Sequence, residues 1–172
     1  MNTPDLIARQ FTKTIVTVSP LGNGLINDTF LVATESSHFV LQRINPKVFP
    51  KPEQIMDNLI KLNRHIKQKS NAALQLKIPE SLKTISNHDF YLDEQGDCWR
   101  ALDYIQDSVS LETLADLSQA EQTGFALGYF HCLVNDLDPL LLHDTLPGFH
   151  IAPAYLTHYE DVIAEAPRQT DF

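Results

Sequence analysis

The hydrophobic pattern changes period near the middle of the chain. In the first part apolar residues alternate or run in short β-branched stretches. They predict three strands, Ile15-Val-Thr-Val-Ser19, Thr29-Phe-Leu-Val-Ala33 and Phe39-Val-Leu-Gln-Arg-Ile44. The polar residues 35–38 have hairpin length. Pro46, Pro50 and Pro52 then interrupt regular structure. Pro52 suits the first turn of a helix, where its missing N–H costs nothing. Ile55, Met56, Leu59, Ile60, Leu62 and Ile66 follow at helical spacing with lysines towards the end, which predicts a helix over 52–69. A strand over 82–86 comes next. Phe90-Tyr-Leu92, the turn Glu94-Gln-Gly-Asp97 and residues 99–105 make a hairpin.

Beyond residue 107 the pattern is helical. Ser118-x-x-Glu121 reads as a capping box, and Ala120, Gly124, Leu127, Phe130, His131, Val134 and Leu137 mark one face. Gly124 and Gly128 would let another helix approach closely. Asp138-Pro139 ends this helix, Leu146-Pro-Gly-Phe-His150 is a loop, and 152–164 forms a last helix. Strands followed by helices predict an α+β fold, with an antiparallel five-stranded sheet plus a helix over 1–106 and a helical part over 107–172.

Composition narrows the class. With 43% hydrophobic residues the chain can bury a core, which excludes disorder. Thirteen basic residues against 22 acidic ones give a net charge of −9 and no basic face for nucleic acid. No stretch approaches the ~20 apolar residues of a membrane span, and no signal peptide opens the sequence. A cytoplasmic protein is expected, with Cys98 and Cys132 read as reduced core thiols and a disulfide between them as the alternative. None of the seven histidines has metal-ligand spacing.

One motif carries chemistry. Gly22-Asn-Gly-Leu-Ile-Asn27 lies between the first two strands and reads G-x-G-x-x-N. A dinucleotide fingerprint would open a helix, and here a strand follows. A glycine-rich hairpin between antiparallel strands is instead how kinases cover phosphates. Asn27 is a plausible third position because Asn tolerates a positive φ. A simple turn is the alternative. Val40-Leu-Gln-Arg43 stands where the kinase Val-Ala-Ile-Lys would. Alternation puts Leu41 and Arg43 on one face, so Leu41 would touch an adenine while Arg43 reaches phosphates. A solvated strand cation is the alternative for Arg43. Its partner on the following helix would be Asp57 or Asn58, since Glu53 falls too near the helix start.

Leu21-Gly-Asn-Gly-Leu-Ile-Asn-Asp-Thr-Phe30, Phe39-Val-Leu-Gln-Arg-Ile-Asn45, Val48-Phe49 and Met56-x-Asn58 together resemble the kinase-like aminoglycoside phosphotransferase superfamily. The N-acetylhexosamine 1-kinase branch is the most similar. Trp99-Arg100 before Tyr104-Ile105 and Leu146-Pro-Gly-Phe-His150 fit that branch, and the resemblance spans residues 12–163. It implies a protein-kinase-like N-lobe followed by the beginning of a helical C-lobe. It implies ATP and Mg²⁺ as cofactors and a small-molecule hydroxyl as acceptor, such as that of an N-acetylhexosamine. Leu21, Gly22, Asn23, Gly24 and Asn27 would cover the phosphates and Arg43 would bind them. Backbone groups of Asp103, Tyr104 and Ile105 would hold the adenine. Apart from the resemblance, His150 follows a Pro-Gly turn and is read either as lining an acceptor pocket or as an ordinary surface-loop histidine.

The superfamily's His-x-Asp-x-x-x-x-Asn loop does not occur. After Asp144 the Asn position is Phe149. The chain is therefore expected to be inactive alone, as a fragment or a truncated product, with Mg²⁺ ligands elsewhere. A non-catalytic nucleotide-binding or protein-interaction module is the rival reading. Phe125, Leu127, Phe130 and Leu133 exceed what so short a helical part can bury. They predict a homodimer through the helices, an element swap, or low stability.

Overall fold

A computed structural model describes residues 3–22, 24–69, 76–109, 111 and 113–166. It is α+β. A short helix α1 (Thr3–Ala8) precedes strands β1 (Ile15–Pro20), β2 (Asp28–Thr34) and β3 (His38–Ile44), then helix α2 (Pro52–Lys69). Strands β4 (Ser81–Leu82), β5 (Tyr91–Leu92) and β6 (Cys98–Asp103) follow, then helices α3 (Leu117–Val134) and α4 (Ala152–Glu165). All pairings are antiparallel, in the order β1-β2-β3-β6-β4, with β5 also on β6.

The sheet has six strands rather than five: each of the six segments named above as a strand joins it, the two before β6 as strands of only two residues. The strand expected over 82–86 stops early for a local reason. Thr84 N–H donates to His88 O at 2.8 Å, and His88 N–H donates to Thr84 Oγ1 at 2.9 Å, closing a turn with Asn87 at φ 65°. Ile85 N–H then donates to Gln10 O at 2.7 Å, which pulls the segment towards α1. The 94–97 turn is built by Asp93, whose Oδ1 accepts from Gln95 and Asp97 N–H, with Gly96 at φ +83°.

The two sheet faces are covered differently. Val32, Phe39, Leu41, Trp99 and Ala101 pack with Ile7 and Ala8 of α1 in the main core. On the opposite face Ile44 and Cys98 pack against Met56 of α2. Each fully buried Leu, Ile, Met or Val adds ~1.5–3 kcal/mol. α2 spans the residues its periodicity predicts.

α3 starts one residue earlier than its expected cap. Asp116 is the N-cap, accepting from Gln119 N–H at 2.8 Å, while Gln119 Oε1 accepts from Ala115 N–H. The helix is therefore capped by Asp116, with Gln119 reaching back one residue further to Ala115, and not by Ser118 with Glu121. Of the expected face, Ala120, Phe130, Val134 and Leu137 are covered, together with Ala126 and Leu133, whereas Gly124, Leu127 and His131 are exposed. Nothing described lies within 4 Å of a side chain placed at Gly124 or Gly128, so no helix uses that approach among the described residues. Phe125 and Leu127 are 58% and 57% exposed, and Tyr155, Leu156, Tyr159, Val162 and Ile163 of α4 are at least half exposed. No described helix is long and apolar enough to cross a membrane.

Candidate functional site

The β1–β2 loop encloses a cavity of about 230 Å³ lined by Leu21, Gly22, Gly24, Asn27, Asp28 and Thr29 among others. Leu21 N–H donates to Thr29 O at 2.9 Å and closes its base. Gly22 has φ +73°, a conformation that favours glycine. Asn23 lies outside the described residues. Asn27 has no positive φ, unlike Asn87, Asp107 and His150. Its side chain instead ties the loop to the end of β3. Asn27 Oδ1 accepts from Asn45 N–H at 2.9 Å, and Asn45 Nδ2 donates to Ile26 O at 3.1 Å. Asn27 thus fixes the loop's position and is not a stand-in for a third glycine.

β3 alternates as expected, but the other way up. Leu41 and Arg43 do share a face, and that face is the one covered by α1. Leu41 is fully buried and offers no surface to an adenine. Arg43 is held between carboxylates. Its Nε donates to Asp28 Oδ2 at 2.8 Å, Nη2 reaches the same oxygen, and Nη1 donates to Asp97 Oδ2 at 2.8 Å. Asp97 and Asp28 hold its pKa above the ordinary value. Two carboxylates around one guanidinium leave local net negative charge, which repels a phosphate. Neither Asp57 nor Asn58 is the partner of Arg43. Asn58 is paired with the backbone of His143, and Asp57 with Lys61 and His143.

The face bearing Val40 and Gln42 is half-buried and open beyond α2. Across it the register aligns Thr29 with Gln42 and Gln42 with Arg100. Gln42 Nε2 donates to Thr29 Oγ1 at 3.0 Å. Gln42 Oε1 accepts from Arg100 Nε at 3.0 Å and Nη2 at 2.7 Å. Neither Gln42 nor Arg100 stands out as a candidate in the sequence motifs. Alternation on β3, read together with the pairing to β2, was the signal that could have found them.

Asp103 ends β6 opposite Phe39, and Tyr104 and Ile105 follow it. Asp103 N–H donates to Glu80 O at 3.0 Å, its carboxylate accepts from Glu80 N–H, and Ser108 Oγ donates to Ile105 O at 2.7 Å. The Tyr104 ring packs 6.0 Å from that of His38. Asp107, at φ 60°, bends the chain towards α3.

A cavity of about 380 Å³ lies between Lys47, Val48, Pro50 and residues 145–149. His150 is not among its lining residues. It is exposed at φ 59° with its ring 3.9 Å from that of Phe149, while its N–H donates to Tyr155 Oη at 3.0 Å. Among the described residues no three His, Cys, Asp or Glu side chains converge as a metal cage.

No family model matches the chain. Its fold is shared with solved structures. A spectinomycin phosphotransferase, APH(9)-Ia, solved with ADP and spectinomycin, superposes with a TM-score of 0.60 at 14% identity, over 99% of this chain and 50% of that one. A protein assigned as an aminoglycoside phosphotransferase, from Ralstonia eutropha, gives 0.53 at 16% identity, over 97% and 49%. The chain thus has the kinase-like fold of these proteins and spans about half their length.

Proposed function

We propose that this chain is the nucleotide-holding part of an ATP-dependent phosphotransferase that acts on a hydroxyl of a small molecule. The observation that carries the reading is the glycine-bearing loop cavity beside an open, half-buried sheet face that ends at Asp103–Ile105. Backbone N–H groups in such a loop can meet phosphate oxygens, while Val40 offers an apolar surface to a base. Half of an ADP-bound phosphotransferase sharing the fold supports the same reading. α3 carries apolar residues on all sides and α4 is exposed throughout. A helix apolar all round belongs inside a larger body, so we place the acceptor site, the catalytic base and the Mg²⁺ ligands in a longer parent protein. The acceptor we favour is a sugar such as an N-acetylhexosamine, on the sequence resemblance of residues 146–150.

Calorimetry of the chain with ATP and adenosine tests the nucleotide. Binding of neither removes the reading. Turnover of ATP by the parent protein with N-acetylhexosamines, choline, homoserine and aminoglycosides tests the acceptor. Turnover with choline or an aminoglycoside alone removes the sugar.

A further inference from the structure

We propose that Arg100, and not Arg43, is the cation that holds the nucleotide phosphates, with Gln42 as its positioning residue. This rests on the nucleotide reading above and deepens it. The two arginines differ in what surrounds them. Arg43 already has two carboxylates and, although 42% exposed, lies on the sheet face whose Phe39 and Leu41 pack against α1. Arg100 has no carboxylate within ion-pair distance among the described residues, and it donates to the neutral Gln42. Two of its five N–H donors meet Gln42 Oε1, which leaves three for a ligand.

Arg100 is also largely withdrawn from water, and that burial lowers its pKa. A desolvated cation without a counter-ion is costly, and an arriving anion relieves the cost. The position suits a phosphate. Arg100 projects on the face left open beyond α2, and its guanidinium is linked through Gln42 to the hydroxyl of Thr29, which lines the loop cavity. Only the carbonyl oxygen of Gln42 can accept from Arg100, so the cation itself fixes the amide's orientation and turns Nε2 towards Thr29. The result is a rigid row across three strands, roughly 10 Å wide at normal strand spacing, aimed from a bare cation to the phosphate loop.

Calorimetry on the whole chain tests this with ATP and adenosine. Arg100→Met is expected to weaken ATP by about tenfold or more, the size of a lost charge-assisted contact, while adenosine binding is unchanged. Retained adenosine binding shows that the variant is folded. Gln42→Lys added to Arg100→Met places a cation on the same row and is expected to restore most of the ATP affinity. Arg43→Met is expected to leave ATP within about twofold and to lower the melting temperature. Loss of ATP affinity in Arg43→Met but not in Arg100→Met overturns the proposal. So does equal loss of ATP and adenosine in Arg100→Met, which marks a structural role. Equal affinity of the unsubstituted chain for ATP and adenosine overturns the proposal while the nucleotide reading stands; binding of neither ligand removes both.

Discussion

Asn58 on α2 and His143 beyond α3 exchange two hydrogen bonds. Asn58 Nδ2 donates to His143 O at 2.9 Å, and His143 N–H donates to Asn58 Oδ1 at 2.8 Å. The side chain completes what a neighbouring strand would otherwise provide. It belongs to a polar stripe at near four-residue spacing along α2, in which Lys61 donates to Leu141 O, and His65 and Lys69 both reach Leu133 O and Asp136. This stripe fastens the sheet-bound helix to the helical part. An apolar cavity of about 340 Å³ between α2 and α3 lies beside it.

Asn58→Ala removes both bonds. Net values near 1 kcal/mol per bond, reduced here by exposure, predict a loss of about 1–2 kcal/mol. The change is expected to be local. Hydrogen exchange should rise at His143 N–H and its neighbours while the β2–β3 ladder keeps its protection. Equal loosening of the ladder would show that the stripe supports the whole fold.

The same stripe sets an acid limit. Asp136 is held below its ordinary 3.8, first by the hydrogen bond from Lys69, and Asp57 likewise by Lys61 and then His143. A carboxylate with a lowered folded pKa contributes stability above its unfolded value, and this is lost as pH falls through the folded one. The contribution is therefore complete from neutral pH down to about pH 5 and fades below about pH 4. Asp136→Asn should be less stable than the unsubstituted chain in urea at pH 7, and the difference should vanish in strong acid and shrink in high salt. A difference that persists undiminished in strong acid would contradict the pairing with Lys69.

The cysteines should separate by reactivity. Cys98 is buried between β6 and α2, and burial pushes its thiol up to about 11, whereas Cys132 is exposed on α3. Thiolate is the reacting form. A thiol reagent at pH 8 should modify Cys132 rapidly, and Cys98 only after denaturant is added. Peptide mass mapping reads the difference, and equal rates on the native chain would show that the β6–α2 seam opens.

Why the architecture was legible and the site only partly so is clear from β3. Period two is local, so the strand and the sharing of a face by Leu41 and Arg43 follow from the residues themselves. Which layer covers that face is not local. It is decided by α1, whose six residues carry too little periodicity to announce a helix. Inverting the face exchanges Leu41 and Arg43 for Val40 and Gln42, and moves the search for a cation to Arg100. The α3 cap failed for a related reason. Asp116 with Gln119 and Ser118 with Glu121 both satisfy the capping pattern, and the cap energy alone does not choose between them.

The two described glycines of the loop should part company under substitution. Gly22 has φ +73° with nothing within 4 Å of an added Cβ, so Gly22→Ala suffers only the backbone penalty. For an L-residue in that region this is ~1–2 kcal/mol. Gly24 has no positive φ, and an added Cβ would meet Asn27 O at 3.6 Å, an ordinary contact. Gly24→Ala also removes freedom from the unfolded chain, so it should be neutral or stabilising by about 0.4–1 kcal/mol. Their effects on ligand then differ in kind. If the loop backbone closes on phosphates, a methyl group at Gly24 intrudes into the space that backbone must cross. Gly24→Ala is then expected to weaken ATP while the folded chain is at least as stable as before. Thermal melts paired with calorimetry on each variant give both quantities. Gly24→Ala binding ATP as tightly as the unsubstituted chain would mean that the loop is a turn and not a phosphate cover.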